Sequence, residues 1–315
     1  MLSHFVSLTN QINDACTYGV LNESEVLTGF SGKKLIGTLQ RFSNYLVNED
    51  NCYLEVGVFQ GLTLLSVAMS IQRGEAYGID NFAYFDKDSK NFSIVKDRIA
   101  RLKLTNANII NMDYEDALEG LNDHIKGRKV SVYFVDGPHD YRSQLMCLEL
   151  GKHYLADNAV VIIDDCNYNH VRQANRDFLV AHPEFKLLYQ AYTNAHPGNM
   201  TPEEKKDAEE GWWDGVNILV KDPENLLTPI YPPCRRDKTL FENESTLHSL
   251  KYPYAYMNNL GLIQRIEGWK RKISSKKATN EIEGKFKRLN TYSSDLTKGE
   301  LNPSAESLLK KAIQQ

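Results

Sequence analysis

The chain has 315 residues, 42% of them hydrophobic, with 37 Lys and Arg against 41 Asp and Glu and a net charge of −4. That is enough for one large core with a smaller appendage, and the charge balance lacks the basic footprint of a nucleic-acid binder. The opening Met1-Leu2-Ser3-His4-Phe5-Val6 has no basic segment leading into a long apolar run, and no later apolar stretch is long enough to span a bilayer, so the sequence reads as cytoplasmic.

Residues 1 to about 50 read as a helical N-terminal cap, with Phe5 and Ile12, then Leu35, Leu39, Phe42 and Leu46, on spaced faces and Gly29 to Gly32 as a break. From residue 51 to about 222, β-rich runs at 52–56, 76–79, 108–110, 130–135, 159–163, 186–192 and 215–220 alternate with helical patterns at 62–71, 89–104, 114–124, 141–155 and 171–181. Seven strands and five crossovers predict an α/β, doubly wound, Rossmann-like sheet that is mostly parallel. No helical crossover pattern separates the sixth and seventh strands, which predicts that the last one is antiparallel. The connection between them, 193–214, is long enough to act as a lid, or its charged stretch 203–210 is only a short solvated helix. After Asp222, Pro223, Pro229, Pro232 and Pro233 mark an irregular crossing into a C-terminal extension, 223–315. There 260–272 reads as helical, and Lys270-Arg271-Lys272 with Lys276-Lys277 fits an anionic ligand or a solvated face. The five cysteines (Cys16, Cys52, Cys147, Cys166, Cys234) are scattered, without a Cys-x-x-Cys pair, and read as reduced thiols.

The most informative stretch is Cys52-Tyr53-Leu54-Glu55-Val56-Gly57-Val58-Phe59-Gln60-Gly61-Leu62-Thr63, an apolar strand running into an acidic, glycine-bearing turn and then a helix. Glycines at 57 and 61 permit backbone conformations that a Cβ would block, and the helix start offers free N–H groups to a polar ligand. A dinucleotide turn, G-x-G-x-x-G, would need glycine where this chain has Phe59; the pattern here is E-x-G-x-x-x-G-x-T. In open α/β sheets, ligands bind beyond the carboxyl ends of the strands. Four successive strands deliver acids there: Asp80, Asp113, Asp136 and the pair Asp164-Asp165. Asp80 is placed to accept the two hydroxyls of a ribose, or it is a turn or cap residue. Asp136, Asp164 and Asp165 make a hard oxygen site suited to Mg²⁺ or a similar divalent cation. Without a cation they would repel one another and one would stay protonated; as the bland alternative, Asp164 or Asp165 caps the following helix.

The glycine turn resembles the first motif of class I methyltransferases that use S-adenosylmethionine. Val132-Tyr133-Phe134-Val135-Asp136-Gly137-Pro138-His139 and Val160-Val161-Ile162-Ile163-Asp164-Asp165 resemble the metal-dependent O-methyltransferases that act on sugars and natural products, over residues 51 to about 222, with Pro138 where an acidic or polar residue is usual. The resemblance implies cofactor contacts from Glu55, Gly57, Gly61, Thr63, Asp80, Asp113 and Tyr114, metal ligands at Asp136, Asp164 and Asp165, and Asp136 with His139 as the catalytic groups, His139 as base. His170 is a second candidate base. Trp212, Trp213, Tyr141 and Tyr168 would wall a small hydroxylated acceptor, a sugar or catechol-like ring, or else pack loops onto the core. Neither nucleic acid nor a transmembrane segment is expected, and a homo-oligomer is compatible with the sequence. The rival readings are a nicotinamide-dependent sugar oxidoreductase or epimerase, and a non-catalytic binding partner built on the same fold.

Overall fold

The computed structural model describes residues 2–13, 26–86, 88–193, 195–236 and 299–313, with residues 261, 262, 265, 266, 268 and 269. The chain divides into two compact units: Met1–Cys234 with Ser293–Gln315, and Arg235–Tyr292. In the second unit the six described residues from 261 to 269 are helical, within the span read as a helix, while the basic run at 270–272 and 276–277 lies outside the described residues.

The first unit is built on an eight-stranded sheet: β1 (Asn51–Val56), β2 (Glu75–Ile79), β3 (Ala107–Ile110), β4 (Lys129–Val135), β5 (Leu155–Ile163), β6 (Phe185–Ala191), β7 (Val216–Lys221) and β8 (Glu300–Leu301), in the order β3-β2-β1-β4-β5-β7-β6-β8. The first five strands are parallel. β7 lies between β5 and β6 and is antiparallel to both, as expected, and the connection into it carries a short helix over the charged stretch, at Pro202–Glu210. β8 adds an eighth strand, antiparallel to β6, beyond the seven expected. Strand order reverses between β1 and β4, whose carboxyl ends therefore flank the crevice where open α/β sheets bind ligands.

Helices cover both faces. They are α1 (Leu2–Asn13), α2 (Lys33–Leu46), α3 (Leu62–Ser70), α4 (Asn91–Leu102), α5 (Tyr114–Glu119), α6 (Leu121–Ile125), α7 (Tyr141–Gly151), α8 (Asn169–Ala181), α9 (Pro202–Glu210) and α10 (Pro303–Ile313). Strand side chains alternate between faces. Tyr53, Val132, Phe134, Val160 and Ile162 thus join Phe5, Leu35, Leu39, Phe42 and Leu64 in one core; Leu54, Val56, Tyr133, Val135 and Val161 join Leu118, Leu148 and Phe178 in the other. The 114–124 helical pattern is split at Gly120, which ends α5 and begins α6. Among the described residues no helix is long and apolar enough to cross a membrane.

Candidate active site

Beyond the carboxyl ends of β1 to β5 opens a cavity of about 920 Å³. Its near wall is the β1–α3 turn. Gly57 has φ +93°, and a Cβ there would lie 2.0 Å from the Asp136 carbonyl oxygen, so only glycine lets the end of β1 close against the end of β4. Gly61, at φ +82°, is the α3 N-cap and has no side chain to offer the helix start. Glu55 supplies it from β1, taking hydrogen bonds from Thr63 Oγ1 (3.3 Å) and the Leu64 N–H, with Tyr53 Oη donating at 2.6 Å. Glu55 is fully buried, and burial pushes its carboxyl up to about 8 even though the Tyr53 and Thr63 hydrogen bonds oppose the shift. Neither Glu55 nor Gly61 lines the cavity. Glu55 lies under the start of α3, and Gly61 is the α3 N-cap within the turn.

Asp80, at the end of β2, accepts from the N–H groups of Val58 and Phe59 (2.8 Å each) through one oxygen and from Phe82 (2.6 Å) through the other. It therefore fixes the turn as well as facing the cavity. Two oxygens with about four acceptor positions leave capacity for a ligand hydroxyl. Asp113 caps α5 by accepting from Glu115 N at 2.9 Å, and it also lines the cavity. Tyr114 lines it too; its hydroxyl donates to Glu115, and burial raises it to about 12. Thr63 is the remaining expected contact on this wall.

The far wall is acidic. Asp136, Asp164, Asp165 and Asp214 all line it. Asp136 is driven far above the carboxylate range by burial, then by Asp164, Asp165 and Glu55; Asp164 rises through burial and Asp165. Asp214 rises to about 10 through burial, then through Asp165, while Asn167, donating at 2.6 Å, opposes the shift. Asp165 stands in a left-handed backbone, φ +54°, which non-glycine residues occupy only when their surroundings hold them there. Its Oδ2 accepts from His139 Nε2 at 2.5 Å. Burial lowers His139, but Asp165 and then Asp140 outweigh it, for a net rise. Among the described residues, Asp136, His139 and Asp165 are the three that bring ligand atoms within 4.8 Å of one another. The expected trio had Asp164 where this cluster has His139. Asp164 nonetheless faces the same cavity, with a buried Oδ1 that has no hydrogen-bond partner.

Four aromatic residues were expected as a wall, and only Trp213 lines the cavity. Trp212 is buried against Tyr189 with the Lys34 ammonium over its ring, Tyr141 donates to Asp177, and Tyr168 packs between the His139 and His196 rings. His170 does not reach the cavity. Sequence reasoning missed Phe30, Phe59, His196 and Asp214, all of which line it. Asp214 was readable as one more acid beside a predicted strand, though at its amino end rather than its carboxyl end. The aromatic rings carry no periodic signal, because 30, 59 and 213 meet only in the fold.

Residues 54–166 match a family model described as a methyltransferase domain. The match runs from within β1 to just past the end of β5 and includes the glycine turn and the acids of four strand ends. Over these residues, and in its sheet order, the chain is similar to a class I methyltransferase domain, the class that draws its methyl group from S-adenosylmethionine. No curated protein matches the chain. Among solved structures it is similar to an O-methyltransferase from Bacillus cereus in complex with S-adenosylhomocysteine (16% identity, TM-score 0.46, covering 70% of this chain and 91% of that one). It is also similar to the O-methyltransferase TomG from Streptomyces achromogenes, involved in tomaymycin synthesis and solved with S-adenosylmethionine (13%, 0.45, 70% and 89%). A third is an rRNA methylase from Streptococcus thermophilus (12%, 0.42, 59% and 96%). Identities this low leave the acceptor to be argued from this chain's own residues.

Proposed function

We propose that the protein transfers a methyl group from S-adenosylmethionine to a hydroxyl of a small acceptor, a sugar or other natural product, with a divalent cation at the acidic wall. The observation that carries this reading is that one cavity is lined both by the glycine turn with Asp80 and Asp113 and by Asp136, His139, Asp164 and Asp165. Asp80 would hold the ribose hydroxyls, Asp113 and Tyr114 the adenine edge, and Gly57 and Thr63 the amino-acid end of the cofactor, with Glu55 and Gly61 setting the turn from beneath. The donor set fits a hard cation. Asp136, Asp164 and Asp214 carry raised proton affinities, and the buried Asp164 Oδ1 has no partner, a combination that a divalent ion would relieve. Asp136, Asp164 and Asp165 would hold it, and when bound it would supply acidification and orientation of the acceptor hydroxyl.

The protein's own work is alignment and proton removal. Displacement at a sulfonium methyl needs the attacking oxygen in line with the departing thioether, an alignment that a cofactor held at the glycine turn and an acceptor held at the acids would provide. His139 takes the hydroxyl proton as the O–CH₃ bond forms and the C–S bond breaks, leaving S-adenosylhomocysteine. With Nε2 donating to Asp165, the neutral ring keeps its lone pair on Nδ1. The connection from β6 to β7, which contributes His196, Pro197, Gly198 and Lys205 to the cavity, closes the acceptor side.

Calorimetry with S-adenosylhomocysteine and Mg²⁺, beside NAD⁺, tests the reading. Binding of the thioether without binding of NAD⁺ is expected, with Mg²⁺ binding lost in Asp164→Asn and Asp165→Asn. Binding of NAD⁺ alone, or of neither cofactor, would sink it.

A further inference from the structure

Phe30 lies in the segment between α1 and α2, outside the methyltransferase match, and its side chain is 67% exposed. An exposed phenylalanine is ordinary on its own; this one is held in place by its neighbours. A Cβ on Gly29 would lie 2.9 Å from Leu62 Cβ, at the start of α3, and a Cβ on Gly32 would lie 2.2 Å from the Gly211 carbonyl oxygen, just past α9. Gly211 also accepts from the N–H groups of Lys34 and Leu35. The segment is thus wedged between the cofactor turn and the β6–β7 connection, which brings the Phe30 ring against Phe59 (centroids 5.7 Å, 27° between planes) and Trp213 (6.2 Å, 29°). Phe59 and Trp213 both occupy left-handed backbone, φ +50° and +56°, a conformation that costs free energy in a bulky residue and clusters at ligand sites.

All three rings line the cavity. The row begins two residues after Gly57, whose α-carbon abuts Asp136, and ends at Trp213, the residue before Asp214. The same cavity is lined by the cofactor turn and by Asp136, His139, Asp164, Asp165 and Asp214.

We propose that Phe30, Phe59 and Trp213 form the acceptor-binding wall, and that the acceptor is a ring with a flat apolar face whose vicinal hydroxyls reach the acidic cluster. An aromatic diol and a pyranoside both have this chemistry, and both stack on aromatic side chains. The inference rests on the methyltransferase reading and adds to it a specificity residue from the N-terminal segment.

The test is calorimetry on the full chain with S-adenosylhomocysteine and Mg²⁺ present, using 3,4-dihydroxybenzyl alcohol and methyl α-mannopyranoside as probes. At least one probe is expected to bind, and Phe30→Ala to weaken it by about tenfold, in line with the loss of one stacked ring. Phe30→Tyr, which keeps the ring, should retain affinity within about threefold, and S-adenosylhomocysteine affinity should change less than about twofold in both variants. Binding of the diol, the pyranoside or both identifies the source of the ring. An equal loss of S-adenosylhomocysteine affinity in Phe30→Ala would assign the wall to the cofactor and overturn the inference. So would unchanged probe affinity, or failure of both probes on protein that binds S-adenosylhomocysteine. Failure to bind S-adenosylhomocysteine at all would instead strike the methyltransferase reading.

Discussion

Glu55 is an acid placed where only a neutral carboxyl is comfortable, in a fully buried site under α3. Its ordinary value of 4.5 rises to about 8, so between those limits the folded protein holds a proton that the unfolded chain has released. The contribution of Glu55 to stability is therefore complete below about pH 4.5 and is lost as pH rises towards 8, with a slope of at most about 1.4 kcal/mol per pH unit. Urea unfolding of wild type and Glu55→Gln from pH 5 to 8 should show the wild type losing stability relative to the variant as pH rises. Parallel curves would mean that the native carboxyl is already ionised. His139 is tested differently: as the base, its replacement by Gln should lower kcat by about 10²–10⁴-fold while leaving S-adenosylhomocysteine affinity nearly unchanged. A small change in kcat would remove the base role. The acids of this site were legible in the sequence because an open sheet gathers its strand ends at one rim. The burial of Glu55 was not, because Thr63 becomes its neighbour only when β1 feeds α3 through left-handed glycines, although Tyr53 already shares its face of β1.

Elements meet at points where a side chain would not fit, and the contact of α2 with the end of α9 is one. Gly32 at the α2 N-cap lies so close to Gly211 that any Cβ would be 2.2 Å from its carbonyl oxygen. Lys33 and Glu210 pair across the same junction at 2.8 Å. Because the obstacle is backbone, Gly32→Ala must push α9 away from α2. The expected cost is about 1–3 kcal/mol in urea unfolding, typical of overpacking, with a rise in acceptor KM larger than any change in cofactor affinity. An unchanged acceptor KM would show that the position of α9 does not matter to the site. The helices and parallel strands were readable from apolar periodicity, and the reversed β7 from the lack of a helical crossover pattern before it. The close approach at Gly32 left no trace beyond a glycine-bearing break, since nothing local says which distant carbonyl that break will meet.

At the scale of the whole molecule, the two-residue strand β8 is too short to show a pattern in sequence, yet it returns the chain to the outer edge of β6 from more than one hundred residues away. Asn302 anchors this return. Its backbone N–H donates to the Leu188 carbonyl at 2.7 Å, and its side-chain amide donates to the carbonyls of Leu187 (2.9 Å) and Thr228 (2.8 Å). Ala305 and Leu308 of α10 then pack on the same core as α1 and α2. Asn302→Ala leaves the Leu187 and Thr228 carbonyls without that donor, a loss of about 1–3 kcal/mol, or roughly 2–4 °C in Tm for each kcal/mol in a chain of this size. Removing residues 299–315 should cost more, since it also uncovers apolar surface and leaves β6 as an open edge able to pair with another copy. Thermal unfolding with light scattering should therefore rank wild type, Asn302→Ala and the truncated chain in falling Tm and rising aggregation. S-adenosylhomocysteine affinity should stay constant at temperatures where all three are folded, because the residues that line the cavity come from elements between Gly29 and Asp214. If the truncated chain matched wild type in Tm, the return to β6 would not stabilise the fold. If the point variant alone lost cofactor affinity, Asn302 would act on the site through the sheet.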